Sequence, residues 1–300
     1  MNSNVFVSVV IPTYKRPDKL DVAIKSVLQQ SYPNVEVIVV DDNDPDTEGR
    51  RLTEEKMTQF DNEPRVRYIK HERNKNGSAA RNTGARAAKG EYVAFLDDDD
   101  EYLPRKIETQ LEALEGRDEE WACCYSKFAT RKAGGKAVKG HEHREGNLYL
   151  EALSRNLWIA SGSNLLVRKD AFFDIDGFDE SFIRNQDIEF LTRLLKKYKI
   201  AYAPYCGLIV NIHYNHSFFD EEDITQQYLK RFEGFVSTLS ADEQKLFYRN
   251  INQQRFFYYF RNKHDFKKCF EMIKNKEVSI IDASSFTLKK TWLLFTRLFR

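Results

Sequence analysis

The densest chemistry in the chain is the run Asp97-Asp98-Asp99-Asp100-Glu101, five consecutive carboxylates directly after the apolar segment Tyr92 to Leu96. Like charges packed this closely stay ionised at a cost unless a hard divalent cation shares them. Mg²⁺ or Mn²⁺ held by one or two carboxylates completes its shell with water and substrate phosphate, so the run points to a metal-assisted site for a diphosphate-bearing substrate. The competing reading is a solvated acidic turn, common on protein surfaces. Two further polar groups follow apolar runs in the same way: Pro12-Thr13-Tyr14 after Val7 to Ile11, and Asp41-Asp42 after Val35 to Val40. Tyr14 could stack on a nucleobase and Asp42 could accept from a base N–H, although each alone is also ordinary loop chemistry. No GxGxxG follows the first apolar run and no GxxxxGK[ST] occurs anywhere, which leaves a metal as the means of holding phosphate.

The elements that would carry these groups alternate. Strands are expected at Val7 to Ile11, Val35 to Val40, Val66 to Ile69 and Tyr92 to Leu96. Between them lie a helix carrying Leu20, Ile24, Val27 and Leu28 after the capping candidate Asp18, and an alanine-rich helix from Gly77 and Ser78 to Lys89. This alternation predicts an α/β fold, a mostly parallel, Rossmann-like sheet covered by helices. Ligands of such sheets bind at the carboxyl ends of strands, so the three polar strand ends should converge on one crevice. Further along, the pattern predicts a helix with Ile107, Leu111 and Leu114 on one face, a strand at Trp121 to Ser126, and a loop or hairpin at Lys132 to Gly140. A strand at Leu165 to Val167, a turn at Asp176 to Phe178, a helix from Asp187 to Lys197 and a strand from Leu208 to Ile212 follow. From about Glu221 the chain reads as wholly helical, giving an α/β domain over 1–220 and a helical C-terminal appendage over 221–300.

Composition narrows the classes. The 300 residues carry 47 Lys and Arg against 46 Asp and Glu, a net charge of +1 that offers nucleic acid no polycation. Hydrophobic content of 41% with only 13 Gly and 7 Pro describes a globular chain. Cys123, Cys124, Cys206 and Cys269 form no CxxC pair, which suits buried thiols in a reducing compartment. Val5 to Ile11 lacks the basic flank of a signal peptide, and no apolar run approaches the ~20 residues of a spanning helix. A cytoplasmic location is therefore expected. Phe286 to Arg300 contains no acid, and on a helix Lys289, Lys290, Arg297 and Arg300 fall on one side with Leu288, Trp292, Phe295, Leu298 and Phe299 on the other. That is the pattern of a helix lying at a membrane interface, peripheral at the inner face, or of a last helix docked on its own domain.

Three segments together carry a resemblance: SVVIPTYKRPDKLDVAIKSVLQQSYPNVEVIVVDDND, NGSAARNTGARAAKGEYVAFLDDDDEYLP and GSNLLVRKDAFFDIDGFDESFIRNQDIEFLTRLL. Over roughly residues 5 to 215 the chain resembles glycosyltransferase family 2. The resemblance implies a GT-A fold, a nucleotide-diphosphate sugar donor (a UDP-sugar first), Mn²⁺ or Mg²⁺, and inversion at the anomeric carbon. It further implies that Pro12, Tyr14 and Asp42 lie on the uracil side and that Arg81 and Asn82 face the nucleotide. Asp97 and Asp99 match the metal-binding DxD pair, Asp99 foremost, with Asp98 near the ribose. Asp187 matches the catalytic base, in a pair that reads Gln186-Asp187 where the family has Glu-Asp. A carboxylate in a first helical turn is favoured as the anion, which suits a base; the plain alternative is a helix N-cap. Ser161, Gly162 and Ser163 are candidates for the acceptor side, and His213 and His216 for the diphosphate or metal, or for surface imidazoles.

The function expected is that of a metal-dependent, hexosyltransferase-type enzyme, moving sugar to a hydroxyl of a glycan or lipid-linked acceptor in cell-surface polysaccharide synthesis. The rival outside catalysis is a nucleotide-sugar-binding or scaffold protein of the same fold. A sugar nucleotidyltransferase is disfavoured because Pro12 to Pro17 contains no glycine.

Overall fold

Valine and isoleucine fill the first two strands, β1 (Val7–Thr13) and β2 (Val35–Asp41), which are buried along nearly their whole length, as a sheet covered on both faces requires. In the computed structural model, which describes residues 5–212 and 221–284, helix α1 (Pro17–Leu28) joins them. Proline at its first position suits a helix start, where no N–H is needed. The expected capping residue Asp18 lies inside the first turn and Arg16 holds the N-cap position without a side-chain cap, its guanidinium being drawn to the acidic run.

The chain continues through α2 (Glu48–Met57), β3 (Val66–Lys70), α3 (Gly77–Ala87), β4 (Tyr92–Phe95), β5 (Glu101–Tyr102), α4 (Lys106–Leu114), β6 (Trp121–Lys132), β7 (Val138–Lys139) and α5 (Tyr149–Leu153). Then come β8 (Leu165–Arg168), α6 (Lys169–Asp174), α7 (Gln186–Lys197) and β9 (Lys199–Ile212). One sheet holds all of these strands, in the order β3-β2-β1-β4-β8-β6-β9-β5 with β7 against β6. β1 runs parallel to β2 and β4, β2 parallel to β3, and β6 parallel to β9. β8 enters antiparallel between β4 and β6. The segment after Lys132 is the hairpin form of the expected loop, β6 turning back into β7.

Two local features belong to the packing of helices on the sheet. Gly84 on α3 lies so close to β1 that a Cβ there would stand 2.3 Å from Val10 Cγ1, so glycine lets the helix press onto the strand. Lys106 on α4 is wholly buried, with its Nζ donating to Gln110 Oε1 at 2.7 Å and lying 4.2 Å from the centre of the Tyr102 ring.

Residues 5–149 and 158–212 form one unit, and 150–157 with 221–284 a second. The second is helical, with α8 (Glu221–Val236), α9 (Ala241–Tyr258) and α10 (Phe266–Lys274). Ser240 and Glu243 close a reciprocal capping box on α9. Tyr228 on α8 donates its hydroxyl to Leu153 O at 2.9 Å, and Arg255 on α9 pairs with Glu222 at 2.7 Å and Glu277 at 3.1 Å. A π-helical turn, Tyr259–Lys263, leads from α9 toward α10, where Phe256, Cys269, Met272, Val278 and Ala283 make a small core. All four cysteines are reduced; Cys206 is half-buried and the other three are buried. No helix among the described residues is long and apolar enough to cross a membrane. His213, His216 and the segment Phe286 to Arg300 lie outside the described residues.

Candidate active site

Because β2, β1 and β4 are parallel neighbours, their carboxyl ends open at the same edge, and the acidic run follows directly from β4. Each of its carboxylates meets a partner from outside the run. Arg81 Nη2 on α3 reaches Asp97 at 2.5 Å, while Arg16, in the loop after β1, bridges Asp98 at 2.9 Å and Asp99. Thr13 donates to the other oxygen of Asp98 at 2.8 Å, Asp100 accepts from Asn211 N at 3.0 Å, and Arg131 pairs with Glu101 at 3.2 Å. Three guanidiniums therefore relieve much of the repulsion that a divalent ion was expected to share. Among the described residues no three His, Cys, Asp or Glu side chains gather as a ready-made metal cluster.

The donor set still fits a hard divalent ion. Burial, opposed by Arg16 and Thr13, holds the Asp98 carboxyl up at about 7, and burial with its charged neighbours Asp97 and Asp99 holds Asp100 well above the usual carboxylate range. Asp97 and Asp99 are met by the tips of arginine side chains, and the carboxylate oxygens present are of the type that Mg²⁺ and Mn²⁺ prefer. An ion here would take Asp97 and Asp99 and leave the rest of its shell to water and phosphate.

The end of β2 is arranged differently. Asp42 is buried and accepts four hydrogen bonds: from His71 at 2.7 Å, Asn74 Nδ2 at 2.9 Å, and the backbone N–H groups of Lys75 and Asn76, each at 2.8 Å. Four donors use the lone pairs of a carboxylate. Through these bonds Asp42 clamps the loop that leads to the α3 cap, Asn76. Its neighbour Asp41 is equally engaged, by Tyr68 at 2.5 Å, Arg50 at 3.0 Å and Asn43. Pro12 sits within β1, paired in register with Val40, and Tyr14 just beyond it is 39% exposed, with Lys15 Nζ 4.7 Å from the centre of its ring.

Asn82 is also engaged by partners within the fold. Its amide donates to Phe178 O and Glu180 Oε1 and accepts from Phe178 N, all at 2.9 Å, fastening the Gly177-Phe178-Asp179 turn to α3. Phe178 in turn stacks on Phe190 of α7 with centroids 4.4 Å apart, and Arg193 of α7 donates to Gly177 O at 2.7 Å. The turn and helix α7 are thereby held as one block.

That block delivers Asp187. Asn185 takes the N-cap position in left-handed backbone, so Asp187 is a first-turn residue and not the cap. A Cβ on Gly162 would lie 3.7 Å from Asp187 Cβ, which puts the Ser161-Gly162-Ser163 turn beside it, and Ser163 Oγ accepts from Asp97 N at 3.0 Å. Burial raises the Asp187 carboxyl above its ordinary range, Arg81 opposing and Asp97 adding to the rise. Arg81 joins the two halves: one arm goes to Asp97 and the other donates to Gln186 Oε1 at 2.9 Å. Gln186, where a glutamate was expected, accepts that bond without neutralising the arginine.

The structure therefore unites Asp97, Arg81, Gln186 and Asp187, and separately Thr13, Arg16, Asp98 and Asp99. Sequence reasoning missed Arg16 and His71. A basic pair, Lys15-Arg16, at a strand end facing the acidic run was the available signal for the first; nothing local marks His71, whose partners Asp42 and Thr83 (2.9 Å) come from other segments.

Against known proteins, the family model described as "Glycosyl transferase family 2" matches residues 8–175. The chain is 31% identical over 196 residues to the amylovoran biosynthesis glycosyltransferase AmsB of Erwinia amylovora, covering 62% of each chain. It is 34% identical over 108 residues to the Escherichia coli UDP-Glc:alpha-D-GlcNAc-diphosphoundecaprenol beta-1,3-glucosyltransferase WfgD, covering 36% of this chain and 40% of that one. These matches span less than two thirds of the relatives' own lengths. In fold, it is similar to S. aureus TarS 1-349 in complex with UDP-GlcNAc, with a TM-score of 0.64 and 16% identity over 87% of this chain and 74% of that one. The GT-A architecture followed by helices is thus the one this chain has, and by its family match over more than half its length the chain belongs to glycosyltransferase family 2.

Proposed function

We propose that the protein transfers a sugar from a nucleotide-diphosphate donor, a UDP-sugar first, to a hydroxyl of a glycan or lipid-linked acceptor in cell-surface polysaccharide synthesis, with inversion. The observation that carries this reading is Asp187, its carboxyl raised by burial, in the first turn of α7, beside the Ser161-Gly162-Ser163 turn and joined through Arg81 to the acidic end of β4. The named relatives support the pathway class and the UDP-bound structural neighbours the donor class.

In this mechanism Asp187 takes the proton from the acceptor hydroxyl, the oxygen attacks the anomeric carbon, and the nucleoside diphosphate departs with the bonding electrons. A single displacement gives the inverted product. Arg81, unneutralised by Gln186, supplies positive charge next to Asp97 where the diphosphate would lie. Mn²⁺ or Mg²⁺ on Asp97 and Asp99, when bound, would add charge for the leaving group. Tyr14 offers its exposed ring to the base. Asp42 and Asn82 serve by holding the loops that shape the pocket, and Ser161 and Gly162 border the acceptor.

A nucleotide-sugar-binding protein without turnover is the second reading, favoured by Gln186 alone. Calorimetric titration with UDP and Mn²⁺, alongside release of sugar from a UDP-sugar panel, tests both. Metal-dependent UDP binding that is lost in Asp99→Ala, together with turnover, is expected; binding without turnover would select the second reading, and no binding would end both. Residence at the inner membrane face through Phe286 to Arg300 belongs to the same proposal, and unchanged vesicle binding after deletion of that segment would remove it.

A further inference from the structure

The second unit carries an exposed aromatic face that its own core does not explain. Helix α10 turns Cys269 and Met272 into the small core, yet Phe266 and Phe270, one turn apart, are 59% and 68% exposed. Phe260, on the preceding π-helical turn, is also exposed, with its ring 5.7 Å from that of Phe266. The helix therefore has two apolar sides, one packed and one facing outward, where a solvated helix would be polar.

Its surroundings carry the sign of the partner. Residues 258–276 hold Arg261 and five lysines against only Asp265 and Glu271, a local surplus of four positive charges in a chain whose net charge is +1. Lys267 and Lys274 fall on the same side of the helix as the two phenylalanines and are exposed, and among the described residues neither is ion-paired. Long basic side chains flanking exposed rings are what an anionic bilayer surface selects: the rings enter the boundary of the acyl chains while the ammonium groups stay with the phosphates.

We infer that the face made by Phe260, Phe266 and Phe270 with Lys267 and Lys274 is a docking surface for anionic lipid. Charge argues against the other occupants. A second copy would set one surplus of positive charge against another, and residues 286–300 contain four basic residues and no acid, so they too are repelled. Phenylalanines without a hydrogen-bonding group, set on a convex helix instead of along a groove, fit lipid better than single-stranded nucleic acid. The inference does not depend on sugar transfer, and it concerns a surface distinct from Phe286 to Arg300.

The test uses the full chain and sedimentation with phosphatidylcholine vesicles, either alone or containing phosphatidylglycerol at roughly three parts in ten. The unaltered protein should partition onto the anionic vesicles and be released by salt. Phe266→Ser with Phe270→Ser should weaken partition by roughly tenfold. Lys267→Glu with Lys274→Glu should remove the preference for phosphatidylglycerol. All four side chains are exposed, so both double variants should melt like the parent and keep its affinity for UDP. Equal vesicle binding by parent and both double variants would overturn the inference. So would a dimer that the phenylalanine pair dissociates, binding that emerges only after deletion of 285–300, or capture by polyuridylate with none by vesicles.

Discussion

The acids at the end of β2 and those at the end of β4 occupy the same edge of one sheet but live in opposite circumstances. Asp41 and Asp42 are sealed by donors from within the fold, including three backbone N–H groups that cannot leave. Asp97 and Asp99 are met by the tips of Arg81 and Arg16, long side chains able to exchange partners. Carboxylates whose partners are built into the backbone hold shape, whereas those met by the tips of arginine side chains are the ones for which a ligand can compete. Asp187 belongs with the available ones: its carboxylate accepts from the N–H of the adjacent Ile188 at 3.0 Å, and among the described residues no donor from another segment ties it down.

The comparison is most easily broken at Asp187. Asp187→Asn should lower the turnover number roughly a thousandfold while UDP affinity stays within about twofold, as steady-state kinetics and calorimetry would show. Retained turnover would remove it as the base. Next in size, Asp42→Ala should cost about 3 kcal/mol of stability in denaturant unfolding, because it strands buried donors including the His71 ring. A variant that unfolds like the parent but no longer binds UDP would instead make Asp42 a ligand contact. Gln186→Glu sharpens the comparison most finely. The new carboxylate would neutralise Arg81, the one charge opposing the raised Asp187, so the acid limb of the pH–rate profile should move up by about half a unit. The sign follows from the role: a base must be deprotonated, so activity is lost as pH falls through its pKa. An unmoved limb would uncouple Arg81 from Asp187.

Much of this was legible beforehand. The continuous Val and Ile runs of β1 and β2 announce a doubly covered parallel sheet, and the polar residues after them announce its working edge. Helix α7 was placed within one residue by its periodicity. The antiparallel entry of β8 between β4 and β6 was not legible, because Leu165 to Val167 reads as a strand whichever neighbours it takes, and its pairing depends on segments 40 residues and more away. The partners of the acids were hidden for the same reason. Nothing near Asp42 in sequence reveals that His71, Asn74 and the 75–76 backbone converge on it, and nothing near Asn82 reveals that Phe178 and Glu180 engage its amide.

Lys106 gives the molecule a preference among solvents. Burial pushes its ammonium down to about 7, whereas in an unfolded chain lysine keeps its proton to about pH 10. Across that window the unfolded chain holds the extra proton, so each step toward alkali withdraws an advantage from unfolding and this lysine's own contribution to stability climbs between neutrality and about pH 10, against the opposite contributions of the raised Asp98, Asp100 and Asp187 carboxyls. The proton that Lys106 on α4 gives up on folding thus makes its own share of the stability larger in mild alkali than near pH 6.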